Sequence, residues 1–459
     1  MKSNKKTRVH FVGIGGIGMS GIAELMFELG YSVQGSDISI NDNAIRLRKK
    51  GIKVYKGHNS SNLKNAEAIV FSSAVKKNNS EIIAAKKNKI PLVSRADMLG
   101  ELMKNKKSIA VAGSHGKTTT TSLIGNILDV AGLDPTIVNG GIINRYYNNN
   151  RFGRGKWMVA EADESDGSFL KLPHQISVIT NLDIEHLDFY QSKKNLMKAF
   201  ETFILNLPYY GTTIICNDDK NLKILIKKIN TRNIVTYSIK NKKSDVYIDR
   251  INIDKNITNF RININSKILS IKKKYNLSIN TLGNHNILNA SASIITALII
   301  GIDINAIRKS LKNYIGVKRR FTFLGKRKNC SIYDDYAHHP TEIFATLSAA
   351  KNISKKIIVV FQPHRYSRTK LLMNEFIKVL SGINKLYITP TYSAGEKQIS
   401  GATSKDLYKK VIRINKNSHY VVSEKKLINL LNIEISNNEL LIFMGAGSIT
   451  KIANNYLSK

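Results

Sequence analysis

Gly113-Ser114-His115-Gly116-Lys117-Thr118-Thr119-Thr120 follows the apolar run Ile109-Ala110-Val111-Ala112 and precedes a helix-like stretch at 122–128. A strand, a glycine-rich turn, a Lys-Thr pair and a helix predict a phosphate cradle. Glycine lets backbone N–H groups turn toward an anion, and the helix N-terminus adds partial positive charge. Lys117 can reach terminal phosphates, and Thr118 can hold Mg²⁺. The ligand this predicts is a nucleoside triphosphate. The loop is shorter than the usual four residues between glycines, so the Lys-Thr placement is what separates it from a turn without function.

A second glycine-rich turn, Gly13-Ile14-Gly15-Gly16-Ile17-Gly18, follows the strand-like Val9-His10-Phe11-Val12. Apolar residues at Ile22, Leu25, Met26 and Leu29 then mark one face of a helix, and Tyr31-Ser32-Val33 leads to Asp37. The pattern meets the dinucleotide fingerprint, acidic residue included. It predicts a phosphate or diphosphate at the turn and leaves open whether that belongs to NAD or another nucleotide.

Two acidic clusters follow apolar strands. Glu161-Ala162-Asp163-Glu164-Ser165-Asp166 packs four carboxylates into six residues, which repel one another unless cations compensate. Mg²⁺ shared with substrate phosphates would do so, against the alternative of a solvated acidic turn. In Thr180-Asn181-Leu182-Asp183-Ile184-Glu185-His186-Leu187-Asp188, just after the apolar strand Ile176 to Ile179, His186 is a candidate imidazole ligand to a second divalent ion. Ends of parallel strands converge on one sheet edge, so both clusters could face the phosphate loop. Further on, Asn286 and Asn289 lie three apart on the first turn of an apolar helix, where their amides could read a purine edge or simply cap the helix. Arg319-Arg320, Asp334-Asp335-Tyr336-Ala337-His338-His339 and Gln362-Pro363-His364-Arg365-Tyr366-Ser367-Arg368 gather donors for anions and carboxylates.

These groups need a scaffold of alternating strands and helices, an α/β architecture with parallel sheets. At 459 residues the chain exceeds one core. Composition shifts predict three domains: 1–104, closing in an amphipathic stretch and a charged linker at 104–107; 105–317; and 318–459. The first and last read as Rossmann-like and the middle as a P-loop ATPase. No apolar run approaches the roughly 18 residues of a membrane span. The opening residues superficially resemble a signal peptide, but their glycines and Asp37 fit a βαβ unit better. Cys216 and Cys330 lie far apart, as reduced thiols of a cytoplasmic protein would. The net charge of +38 raises nucleic-acid binding, yet the lysines are scattered beside Asn and Ile without aromatic interleaving. They predict solvated faces, with nonspecific attraction at low salt and no specific nucleic-acid partner.

Taken in order, Gly-Ile-Gly-Gly-Ile-Gly-Met-Ser-Gly at 13–21, the phosphate loop at 113, the acidic run at 161, Gly-Asn-His-Asn at 283, Asp-Asp-Tyr-Ala-His-His-Pro at 334, Gln-Pro-His-Arg-Tyr-Ser-Arg-Thr at 362 and Ala-Gly-Glu at 394 resemble the Mur ligase family from about Val9 to Ile452. Glu185 departs from the pattern, standing where the family commonly carries Asp. The resemblance implies an ATP- and Mg²⁺-dependent ligase of peptidoglycan synthesis that joins L-alanine to the lactyl carboxylate of UDP-N-acetylmuramate. It implies small-molecule substrates, no membrane insertion, and a monomer or weak homodimer.

Carried across, Gly13, Gly15, Gly16, Gly18, Asp37, His58 and Ser72 would hold the UDP portion. Gly113, Ser114, His115, Gly116, Lys117, Thr118 and Thr119 would hold the ATP phosphates, with Thr118 and Glu161 on one Mg²⁺ and His186 on a second. Asn286, Asn289, Arg320 and Asp335 would contact ATP, and His338, His364 and Arg365 would lie near the amino acid or reacting carboxylate. Lys117, Glu161, His186, His338 and Arg365 form the expected catalytic set. The competing readings are an NAD-dependent oxidoreductase, which leaves Lys117 and the acidic clusters idle, a nucleotide-gated binding module, and a ligase recycling whole peptides.

Overall fold

The computed structural model describes residues 7–72, 74–229, 233–254, 257–436 and 438–458. Three sheets form. The first runs β1 (Arg8–Val12), β2 (Ser32–Asp37), β3 (Lys53–Lys56), β4 (Ala68–Phe71) and β5 (Leu92–Ser94) in the order β3-β2-β1-β4-β5, all parallel. Helices α1 (Ile17–Glu28), α2 (Asp42–Lys49), α3 (Ser80–Lys87) and α4 (Arg95–Lys104) connect it. Order reverses at β1, so the turn after β1 lies where doubly wound sheets open a ligand crevice. Gly35 on β2 is required there: a Cβ would stand 2.6 Å from Ile14 Cδ1 and from Phe11 O.

The second sheet takes β6 (Lys107–Ala112), β7 (Thr136–Ile143), β8 (Asn148–Arg151), β9 (Trp157–Glu161), β10 (Ile176–Ile179), β11 (Thr212–Cys216), β12 (Asn233–Ser238), β13 (Val246–Asp254), β14 (Ile257–Ser266) and β15 (Ile271–Ile279) in the order β15-β14-β13-β12-β11-β10-β6-β9-β7-β8. From β13 through β6 to β7 the pairing is parallel, and β8 turns back antiparallel. A sheet covered on both faces asks for unbroken apolar strands. Ile109, Val111, Val159, Val178 and Ile214 are accordingly all fully buried, each worth roughly 1.5–3 kcal/mol over exposure. Its helices are α5 (Lys117–Val130), α6 (Leu187–Tyr190), α7 (Lys193–Leu205), α8 (Lys220–Lys228), α9 (Asn284–Ile300) and α10 (Ile304–Lys312). Lys107 already belongs to β6, so the expected linker at 104–107 shrinks to its middle. Its charge faces solvent while every residue after it in the strand is buried.

The third sheet, β16 (Thr322–Arg327), β17 (Cys330–Asp335), β18 (Ile357–Phe361), β19 (Lys385–Ile388), β20 (Ser418–Tyr420) and β21 (Leu440–Met444), has the order β16-β17-β21-β18-β19-β20, with only β16 antiparallel. Helix α11 (Pro340–Ala350) follows β17, and α12 (Tyr366–Leu371) follows β18. The chain forms two compact units. Met1–Asn252, Asn259–Asn280 and Leu288–Ile315 make one, and Ile253–Thr258, Thr281–Ile287 and Gly316–Lys459 make the other. Within the first unit the two sheets dock closely. Gly21 of α1 presses on β8, where a Cβ would overlap the Asn150 amide, and Asn149 Nδ2 donates to Ile17 O at 2.8 Å. Among the described residues, no helix is long and apolar enough to cross a membrane.

Candidate active site

The turn after β1 is pinned from behind. Gly13 takes φ +82, and its N–H donates to Ser36 O at 2.8 Å. Asp37 Oδ2 accepts from Gly15 N at 2.8 Å, so this carboxylate braces the turn. A Cβ on Gly13 would lie 3.4 Å from Ser72 Cβ, which sets Ser72 beside the turn, and Gly16 is the N-cap of α1. His58 Nδ1 lies 2.9 Å from Ser36 Oγ and 3.1 Å from Glu81 Oε2. Glu81 is fully buried. Burial works to raise its carboxyl, but His10, Ser36 and Asn62 outweigh it and hold it near 2. The sequence singles out His58 and gives no sign of Glu81, which reaches the histidine from α3.

The phosphate loop shows why its glycines are there. A Cβ on Gly113, at φ +127, would overlap Thr180 Oγ1 and stand 2.9 Å from Asn181 O. One on Gly116, at φ +84, would stand 2.5 Å from Asn289 Oδ1. Asn289 therefore lies against the loop. Thr180 and Asn181, at the end of β10, shape it: Thr180 Oγ1 donates to His115 O at 2.6 Å, His115 N to Asn181 Oδ1 at 2.8 Å, and Ser114 N to Asn181 O at 3.2 Å. His115 Nε2 donates to Asp183 Oδ2 at 3.0 Å. Ser114 and His115 lie within the loop, and Thr119 is buried in the first turn of α5.

Lys117 Nζ donates to Gly113 O at 2.5 Å, to Ser114 O at 3.2 Å and to Glu164 at 2.9 Å. Burial works to lower its pKa. Glu164, Asp163 and Glu161 reverse that and push its pKa up, so the ammonium stays charged. Burial raises Glu164 to about 7 even with Lys117 beside it. Burial also works to raise Asp163, but Lys117, and less strongly Arg95, hold it below the usual carboxylate range. Thr118 Oγ1 donates to Glu161 Oε1 at 3.1 Å, and Glu161 Oε2 accepts from Gly140 N at 2.7 Å. A hydroxyl and a carboxylate at the mouth of a phosphate loop are hard oxygen donors, and the pair fits Mg²⁺. His186 caps the short α6 at φ +57, with Nε2 3.7 Å from Glu185 Oε2. The structure joins Thr118 to Glu161 and places His186 on a separate loop beside Glu185.

In the second unit the polar residues gather at the C-terminal ends of β17 and β18. Asp335 accepts from Phe321 N at 2.6 Å, Ala337 N at 2.8 Å and Thr346 Oγ1 at 3.1 Å, and burial pushes its carboxyl up to about 6. Arg319 and Arg320 both lie over the Tyr336 ring, and Arg320 Nη1 is 3.6 Å from Glu342 Oε1. His338 Nδ1 lies 2.9 Å from Tyr336 O and 3.2 Å from Glu342 Oε2, which leaves Nε2 with the lone pair in the neutral ring. Guanidinium only donates, so His364 Nδ1 accepts from Arg368 at 3.1 Å. Burial lowers His338 to about 4 and His364 to about 3, with nearby arginines helping. Arg365 sits at φ +67 at the N-cap of α12, its Nε 4.0 Å from Glu396. Asn286 Nδ2 donates to Leu282 O at 2.8 Å. Glu342, which organises Arg320 and His338, went unread as a site residue. Its signal is the capping box it forms with His339, three residues apart.

The model of the Mur ligase family catalytic domain matches residues 8–107, that of the Mur ligase middle domain 111–297, and that of the Mur ligase glutamate ligase domain 319–447. The chain is 44% identical over 448 residues to the UDP-N-acetylmuramate–L-alanine ligase of Chelativorans sp. (strain BNC1), covering 97% of this chain and 96% of that one. It is 44% identical to the enzyme of the same name from Rickettsia peacockii, over 97% and 93% of the two chains. Among solved structures, the UDP-N-acetylmuramate-alanine ligase of Thermotoga maritima superposes with a TM-score of 0.83 at 29% identity, covering 98% of each chain. A murein peptide ligase from Psychrobacter arcticus shares the fold at 22% identity and a TM-score of 0.73, over 98% of each chain. Matched along all three sheets by the family's models and along nearly its whole length by its members, this chain belongs to the Mur ligase family.

Proposed function

We propose that this protein is an ATP-dependent ligase that joins L-alanine to the lactyl carboxylate of UDP-N-acetylmuramate, giving UDP-N-acetylmuramoyl-L-alanine, ADP and phosphate for peptidoglycan precursor synthesis. The observation that carries it is Lys117, half-buried in the phosphate loop with its Nζ held by Gly113 O, Ser114 O and Glu164. Relatives at 44% identity narrow the chemistry to this substrate pair. A dinucleotide oxidoreductase has no use for such a lysine.

A carboxylate is a poor electrophile. One of its oxygens attacks the γ-phosphorus of ATP, the bond to the bridging β–γ oxygen breaks, and ADP leaves. The acyl phosphate is then attacked by the amine of alanine, and phosphate leaves from the tetrahedral intermediate. An entering triphosphate takes Lys117 from Gly113 O and Ser114 O, and the freed ammonium offsets charge on the transferred phosphoryl group. Thr118 and Glu161 would hold Mg²⁺, which when bound neutralises phosphate oxygens. The second ion, on His186, is part of the same proposal. Neutral His338, with its Nε2 lone pair free, accepts a proton from the amine, and Arg365 and His364 serve the carboxylate end of the amino acid. Asn286, Asn289, Arg320 and Asp335 are assigned to ATP, and His58, Ser72 and the first glycine turn to the UDP portion. We place the reaction in the cytoplasm, with the chain a monomer or weak homodimer.

Phosphate release measured with each substrate omitted in turn tests this. Release must require ATP, UDP-N-acetylmuramate and L-alanine together. ATP bound with no release dependent on the other two would reduce the protein to a binding module. A tripeptide preferred over L-alanine would make it a peptide-recycling ligase.

A further inference from the structure

Arg95 opens α4, directly after β5 and its cap Ser94. A cation in the first turn of a helix works against the helix dipole, which favours anions there. Asp97 and the Ser94 hydroxyl already satisfy that end, so α4 gains nothing from an arginine at its first position. The side chain is half-buried, and it makes no hydrogen bond or ion pair with any described residue. It lies against the glycine turn: a Cβ on Gly18 would stand 3.3 Å from Arg95 Nη1 and 3.4 Å from its Cδ.

Helix α4 is fixed in that position. At Gly100 it presses on the short 3₁₀ helix Ser168–Lys171, where a Cβ would come within 3.0 Å of Lys171 O, and Lys171 Nζ pairs with Asp97 at 2.9 Å.

The glycine turn offers N–H groups and the dipole of α1, equivalent to about half a positive charge. Residues 13–21 contain no lysine or arginine, so the turn cannot balance a diphosphate by itself. A guanidinium presents a planar fork that matches phosphate oxygens. We propose that Arg95 is a substrate-binding residue that holds the diphosphate of the UDP-sugar against the turn at 13–18. The inference rests on the ligase reading, since it needs a sugar nucleotide in the first sheet.

Calorimetric titration of the full chain with UDP and with UDP-N-acetylmuramate tests it in wild type, Arg95→Ala and Arg95→Lys. UDP carries the diphosphate without the carboxylate. Arg95→Ala is expected to weaken both ligands by roughly 10- to 100-fold, the scale of a hydrogen-bonded charge pair. Arg95→Lys should recover part of that, and the KM for ATP should stay put in both variants. Unchanged UDP affinity in Arg95→Ala overturns the proposal, even if turnover falls, because the residue would then serve the carboxylate or the fold. Should the alanine variant melt early, Arg95→Gln, which keeps the stem, takes its place under the same criterion. Wild-type protein that fails to bind UDP-N-acetylmuramate refutes the ligase reading instead, and that result is read before any variant.

Discussion

Lys117 and Glu164 form the pair on which phosphoryl transfer turns. Replacing Lys117 with Ala removes the one full positive charge the loop itself offers a triphosphate. Turnover should fall by roughly 10²- to 10³-fold or more, the cost of losing one donor to developing charge. Binding of UDP-N-acetylmuramate, in the other sheet, should hold. Near-normal ADP release by this variant would refute the assignment. Glu164 has a different role, since it pairs with Lys117 while the loop is free of nucleotide. Breaking a buried pair typically costs 3–5 kcal/mol, and less here because Asp163 and Glu161 still face Lys117. Glu164→Gln should therefore lower the melting temperature of the free protein and widen the upward shift given by ATP, because phosphates then supply the missing anion. A shift no larger than that of the wild type would mean that Glu164 stays engaged with Lys117 when nucleotide is bound.

At the scale of elements, the loop is built by what crowds it. Gly116→Ala meets two separate penalties, a left-handed backbone at φ +84 and a contact of 2.5 Å with Asn289 Oδ1. The first costs of order 1–2 kcal/mol whatever the surroundings. The second should vanish when the amide is removed. Gly116→Ala is expected to destabilise by about 2–3 kcal/mol in urea unfolding, and adding Asn289→Ala should return part of that. Strictly additive losses would show that the amide is not the obstacle.

The same loop shows what sequence can carry. Lys117, Thr118 and the turn are contiguous, so their chemistry is legible from spacing, as is the strand before them and the helix after. Glu161 is legible as a carboxylate at a strand end. Which of the four acids there faces the lysine depends on how the chain turns after β9, and no local pattern states it. Thr180 and Asn181 are legible as part of a polar cluster after an apolar strand, but their bonds to the loop backbone are not, and Glu81 comes from a distant segment that only the fold brings in. The order β10-β6-β9 is what places Asn181 on one side of the loop and Glu161 on the other.

For the whole molecule, buried neutral histidines set the response to acid. Burial lowers His174 to about 4 in the first unit; in the second, His285 and His338 fall to about 4 and His364 to about 3. Each folded-state value lies below the ordinary 6.5, so between that pH and the folded value the unfolded chain binds more protons. Stability therefore falls as pH drops through that window. His174, 4% exposed and stacked on Phe203, should cost the first unit about 3 kcal/mol by pH 4. The three in the second unit are half-buried, so water screens each of them more, yet their losses accumulate in one smaller core. Glu164 and Asp335, raised by burial to about 7 and about 6, bind protons in the folded state over this range and offset part of the loss, one in each unit; Glu81 does not oppose the difference. Its depressed value adds stability to the first unit that is complete above the ordinary carboxylate range and lost only as pH falls from there toward 2. On going from pH 7 to pH 5, amide protection in residues 316–459 should drop more than in 1–252, after correction for intrinsic exchange. Replacing His285 with Gln should flatten the pH dependence of the second unit alone. Equal losses in both units would show that these histidines do not govern the acid response.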